Sequence, residues 1–168
     1  MPISMYAASV PVFSHMLKNL AHVLTKGEAN AAQRKIEPAV FLNDRLAPDM
    51  LPLKAQVQIA TDHAKGACAR LSGRDPLKLE DKETSFTELL ARIEKVQDYL
   101  KGFSAADIDG SEEKEIVLKL GGGEMKFSGM QYLLHFATPN FYFHMTTAYA
   151  ILRHNGVPIG KSDFFGRG

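Results

Sequence analysis

The sequence predicts an all-α protein, a four-helix bundle with a small β-hairpin before the last helix. Three observations carry that prediction. Apolar residues recur at helical spacing in four separate stretches, near residues 4–26, 52–72, 85–103 and 130–156. One stretch, 115–127, alternates instead with a period of two around Gly121, Gly122 and Gly123. The chain's 168 residues, 45% of them hydrophobic and 23% charged, suit one core, so residues 1–168 are read as a single domain.

In the first helix Phe13, Met16, Leu17, Leu20 and Leu24 form the buried stripe. Pro11 either kinks its start or occupies the true first turn. His15 and His22 lie about 180° from the Phe13 stripe and are expected in solvent. Gly27 is read as the stop, with a short helix resuming over 28–34 and one further turn over 38–42. The segment 43–52, with Pro48 and Pro52, reads as an ordered connection. In the second helix Leu53, Val57, Ala60, Ala64, Cys68 and Leu71 make a stripe of small residues, and Gly73 stops it. His63 lies about 80° from the centre of that stripe, at the boundary of core and solvent.

Ser85 and Glu88 form a capping box ahead of Leu89, Leu90, Ile93 and Leu100, so the third helix starts there and ends near Phe103. Gln97 falls on its apolar face, within reach of a polar partner such as Asn140 or His144 across the core. The hairpin cannot stand alone and must pack on the helices. The fourth helix places Leu133, Ala137, Asn140, Phe141, His144, Ala148 and Ile151 on one stripe and ends at Asn155-Gly156. Beyond it, Phe164 and Phe165 either pack back on the helices or serve a subunit contact.

Composition excludes several roles. Twenty basic residues against nineteen acidic ones leave a formal charge of +1, without the basic footprint of a nucleic-acid binder. No apolar run approaches the roughly 20 residues of a membrane span, and the first residues lack a basic leader followed by an apolar core. A lone cysteine, Cys68, makes no internal disulfide and suits a reducing compartment, so the expected location is cytoplasmic. On an apolar stripe that cysteine reads as an inert core residue.

The fourth helix carries the candidate site. Asn140 and His144 stand one turn apart where a core-facing helix would spend two apolar side chains, and leaving them unpaired would cost roughly 1 to 3 kcal/mol each. With His63 from the second helix they are the histidine-containing set that the bundle can converge. Nitrogen and oxygen donors of this kind suit a divalent metal such as zinc, nickel or manganese. The alternative is a hydrogen-bonded cluster without metal. His135 projects away from His144 and is a reserve ligand, and His154 sits at the helix C-terminus. Aromatic residues on several sides of this helix, Phe136, Phe141, Tyr142, Phe143 and Tyr149, suggest burial on more than one face and a homodimer. The triglycine is not followed by a helix and is no phosphate loop.

The segments SVPVF, NDRLAPDMLPLKAQVQIATDHAKG and YLLHFATPNFYFHMTTAYAILRHNGVPIG together resemble an uncharacterised DinB-related family, over nearly the whole chain. The resemblance implies a DinB/YfiT-like four-helix bundle whose better-known members hold a divalent metal with three histidines and include thiol-dependent transferases and hydrolases. In that register His144 matches the second ligand of the last helix, Asn140 replaces the first, and His63 is the nearest counterpart of the ligand on the second helix. Two functions follow. One is a metal-dependent transferase or hydrolase acting on a small, thiol-linked substrate. The other is a non-catalytic, homodimeric small-molecule-binding or stress-related module with a metal-free polar cluster.

Overall fold

The computed structural model describes residues 3–167. It is mostly helical, with one small antiparallel sheet of two strands.

Helix α1 spans Val10–Arg34, with Pro11 in its first turn, where the missing N–H would lack a helical partner anyway. It runs straight through Gly27. The expected stop comes instead at Lys35, whose left-handed backbone (φ 55°) lets its N–H cap the carbonyls of Ala31 and Ala32. Gly27 has a packing role: a Cβ there would meet Leu152 Cδ2 at 2.9 Å. After the short α2 (Pro38–Asn43), which buries Phe41 and Leu42, helix α3 covers Leu53–Ser72 and closes on Gly73 at φ 81°. Ala60, Ala64, Ala67 and Cys68 on α3 are completely buried. These small side chains allow close approach of the neighbouring helices.

Helix α4 (Phe86–Leu100) opens with the full capping box: Ser85 Oγ accepts from the Glu88 N–H at 3.1 Å, and the Glu88 carboxylate accepts from the Ser85 N–H at 3.1 Å. It ends at Leu100, three residues before Phe103, and a one-turn helix α5 (Ala105–Ile108) follows. Strands β1 (Glu115–Leu120) and β2 (Gly123–Ser128) pair from Glu115 opposite Ser128 to Leu120 opposite Gly123. Gly121 and Gly122 form the two-residue turn, both at positive φ (55° and 90°), which glycine adopts without a Cβ clash. Buried Ile116 and Leu118 fasten the hairpin to the helical body.

The last long helix is not uniform. A short α6 (Gly129–Gln131) passes into a π-helical stretch, Tyr132–Ala137, and then into α7 (Thr138–His154). Pro139 explains the change of winding, since it offers no N–H to the preceding turn and its ring crowds the carbonyl four residues back. The face that α7 and the π turn bury is Leu133, Ala137, Phe141, Met145, Ala148, Ile151 and Leu152. Asn140 and His144 are half-buried at its edge, which corrects the expectation that they occupy the stripe itself.

The four long helices pack side by side: α3 lies against both α7 and α4, and α4 against α1. Phe13 of α1 meets Phe141 of α7 edge to face at 4.9 Å. A final turn, α8 (Lys161–Phe164), docks on α1 through buried Asp163, which accepts from Lys26 and from His22 Nε2 at 3.1 Å. The Lys26 ammonium first, then the Gly160 N–H and His22, hold the Asp163 carboxyl below its ordinary range. Phe164 packs edge-on against Tyr149, so the first of the two tail readings holds for it, while Phe165 stays 45% exposed.

Candidate functional site

Helix α3 presents Gln56, His63 and Arg70 at seven-residue spacing, two turns apart, and so along one line of its surface. His144 and Asn140 of α7 face this line, as do Tyr132 and Phe136 of the π turn, and Leu118 of β1 lies beside them. A cleft of about 360 Å³ opens here, lined by Asp62, His63, Arg70, Leu118, Tyr132, Phe136 and Asn140.

The His63 and His144 rings lie 5.9 Å apart, nearly parallel at 16°. His63 is also 5.9 Å from the Phe136 ring. Burial, then the charge of His144, and more weakly Arg70, press the His63 pKa from 6.5 to about 4 against an opposing pull from Asp62. Burial also lowers that of His144. Near neutral pH both rings are uncharged bases.

One hydrogen-bond chain sets the His144 tautomer. The fully buried Gln56 donates from Nε2 to the Leu51 carbonyl at 2.8 Å, and a carbonyl can only accept. Gln56 Oε1 is thereby turned to His144 Nδ1, 2.7 Å away, so Nδ1 carries the proton and the lone pair sits on Nε2. Asn140 is oriented in a similar way: its Nδ2 donates to the Phe136 carbonyl at 2.7 Å, leaving Oδ1 as the free acceptor.

The donors suit a metal ion in part. The His63 and His144 rings are close neighbours, 5.9 Å apart with nearly parallel planes, and imidazole nitrogens are a donor type that zinc and nickel accept. A ligating histidine normally donates its other N–H to a fixed acceptor, as His144 does to Gln56. Asn140, whose Oδ1 is a neutral acceptor, lines the same cleft. The set does not make a closed structural site: among the described residues no group of three or more His, Cys, Asp or Glu is arranged to hold a metal. Asp62 is committed elsewhere, accepting from Arg92 at 2.7 Å and from Lys65 at 3.0 Å.

His63 and Asn140 line one cleft, and the His144 ring stands 5.9 Å from that of His63. Gln97 is not part of the set: it exchanges hydrogen bonds with Ser14, to Oγ at 2.9 Å and to the carbonyl at 3.1 Å. His15, His22, His135 and His154 are exposed, so His135 replaces none of the three. Cys68 is buried, and burial pushes its thiol up to about 12, where it is neither nucleophile nor ligand. Gln56 and Arg70 are the members that sequence reasoning missed, although their seven-residue spacing from His63 is a readable signal. A larger groove of about 440 Å³ lies beside Arg92, but that guanidinium is already paired with Asp62, Asp81 and Glu83.

Residues 5–165 match the model of a domain of unknown function, DUF1993. Among solved structures, the crystal structure of a DinB family member protein from Shewanella denitrificans is similar at 45% identity and a TM-score of 0.90, covering 96% of this chain and 91% of that one. No curated protein matches. No helix among the described residues is long and apolar enough to cross a membrane.

Proposed function

The chain belongs to the DinB-related DUF1993 family, and we propose from that membership and from the cleft that it is a four-helix-bundle protein, one domain over residues 1–168, that binds a small molecule beside His63 and His144. The single observation that carries the reading is the Gln56–His144 hydrogen bond, which fixes the tautomer of the buried ring with its lone pair at Nε2.

A divalent ion would be held by His63, His144 Nε2 and Asn140 Oδ1. Two imidazoles favour zinc or nickel over manganese, which prefers carboxylates and water. Such an ion would supply a Lewis-acid centre for transfer to or hydrolysis of a small, thiol-linked substrate. The protein's own part is to keep both rings unprotonated through burial, and to fix the His144 tautomer through Gln56. The second reading is a non-catalytic binding or stress-related module in which the same cluster works without metal. It is favoured by the neutral Asn140 and by the lack of a third imidazole or carboxylate among the described donors.

Melting curves of wild type and His144→Ala with and without chelator test the choice. The metal reading expects chelator to lower the wild-type Tm and leave the variant unmoved. An equal response, or none from either, supports the metal-free module.

We also retain a homodimer, supported by exposed Met130, Leu134 and Phe143 on the last long helix. A reducing, cytoplasmic setting is supported by the buried, unpaired Cys68.

A further inference from the structure

We propose that the cleft beside His63 takes its small molecule by a carboxylate, gripped between the Arg70 guanidinium and the Tyr132 hydroxyl. The proposal rests on the small-molecule reading above and not on the metal.

Arg70 is, among the described residues, the one Lys or Arg that lines the cleft. Its guanidinium donates one hydrogen bond, from NH1 to Tyr132 Oη at 3.1 Å, and pairs with no carboxylate of the described residues. Arg92, twenty-two positions on, shows what this chain does with a buried guanidinium that has only a structural part: it surrounds it with Asp62, Asp81 and Glu83. The acid nearest to Arg70 along α3 that lines the cleft, Asp62, is spent on Arg92 and Lys65. A half-buried cation without a counter-ion is costly, and a bound anion removes that cost.

Tyr132 supplies the second donor. Its side chain is buried to 1% exposure, and its oxygen already accepts from Arg70. The hydroxyl proton is therefore directed elsewhere, and no acceptor among the described residues takes it. A planar guanidinium beside a phenolic O–H matches the two oxygens of a carboxylate. Leu118, Phe136 and the Tyr132 ring give the cleft apolar walls, so the carboxylate's carrier has an apolar or aromatic body. About 360 Å³ lies near the small end of ligand pockets, which run from about 300 to 1,000 Å³. A single cation favours a monoanion over a phosphate dianion.

Benzoate and its neutral isostere benzamide test this, by calorimetry and saturation-transfer NMR on the full chain in chelator. Benzoate is expected to bind saturably and benzamide at least about tenfold more weakly. Arg70→Gln should reduce benzoate to the benzamide level. Tyr132→Phe, which keeps the ring and its packing, should weaken benzoate severalfold while sparing benzamide. Equal binding of the two probes overturns the carboxylate but leaves a small-molecule cleft standing, and binding of neither overturns both. Undiminished benzoate binding by Arg70→Gln, or displacement of benzoate by a lower concentration of inorganic phosphate, also overturns it. The metal reading stands or falls separately, on the chelator melts.

Discussion

Gln56 Oε1 accepts the Nδ1 proton of His144 at 2.7 Å, across the interface between α3 and α7. The bond joins fold to site, because Gln56 is itself fixed by the Leu51 carbonyl just ahead of α3. Gln56→Leu removes the acceptor and strands an N–H in a half-buried place. The expected loss is about 1 to 3 kcal/mol in urea denaturation. Zinc affinity, if the ion is held, should fall by about 10- to 100-fold in calorimetry, the usual effect of losing such an orienting partner. An unchanged zinc affinity would detach Gln56 from the metal reading.

Acid should weaken the fold before the carboxylates titrate. His63 has a pKa near 4 in the native chain against an ordinary 6.5, and His144 is lowered too. Between those values the unfolded chain binds protons that the native one refuses, so stability is full above about pH 6.5 and declines as pH falls toward 4. The groups facing His63 are His144 and Arg70, which lower its pKa, and Asp62, which raises it. A shift of that size amounts to up to about 3 kcal/mol. Urea melts in chelator at about pH 7, 5.5 and 4.5 should show the decline, and His63→Gln should flatten it. A wild-type profile flat over that window would mean that the rings take up protons without penalty.

Two buried glycines should respond in opposite ways. At Gly27 an added Cβ meets the movable end of Leu152, while alanine gains about 1 kcal/mol of helix propensity, so Gly27→Ala should lie within about 1 kcal/mol of wild type. At Gly129 the Cβ would stand 1.9 Å from the Ser111 backbone oxygen, which cannot swing aside. Gly129→Ala should cost more than about 3 kcal/mol or fail to fold. Tm differences from a thermal scan decide it, and equal tolerance at both sites would contradict the packing described.

Much of this was legible in the sequence, for identifiable reasons. The capping box at Ser85 and Glu88, the Gly73 stop and the glycine turn of the hairpin are local signals, and each appears where the spacing puts it. Asn140 and His144 could be singled out because a polar pair at i and i+4 breaks an apolar helix. Their depth could not be read, because Pro139 and the π turn before it rotate the helix away from ideal winding. Gly27 was misread because a helix-ending glycine and a close-packing glycine have the same letter, and only Leu152, far along the chain, distinguishes them. The partner of Gln97 was misassigned for the same reason: an apolar-face glutamine announces that it needs a partner, not that Ser14 will be the one.

The dimer reading turns on Phe143, which is 56% exposed and meets the His144 ring edge to face at 5.2 Å. If a second copy covers this face, it shields both Phe143 and the half-buried His144, and the surface shared by two copies is self-complementary. Leu134 and Met130, nine and thirteen positions earlier on the same long helix, are also exposed, at 47% and 44%. Phe143→Asp places a charge on that face and leaves the core stripe through Phe141 and Met145 untouched. Sedimentation at micromolar concentration should find the wild type as a dimer and the variant as a monomer, because a buried, unpaired carboxylate costs several kcal/mol at an interface. The variant's melting curve should then depend on protein concentration less than the wild type's does. A wild type that sediments as a monomer at every concentration would leave Phe143 an ordinary exposed aromatic and exclude the dimer, without touching the cleft lined by His63, Arg70 and Asn140.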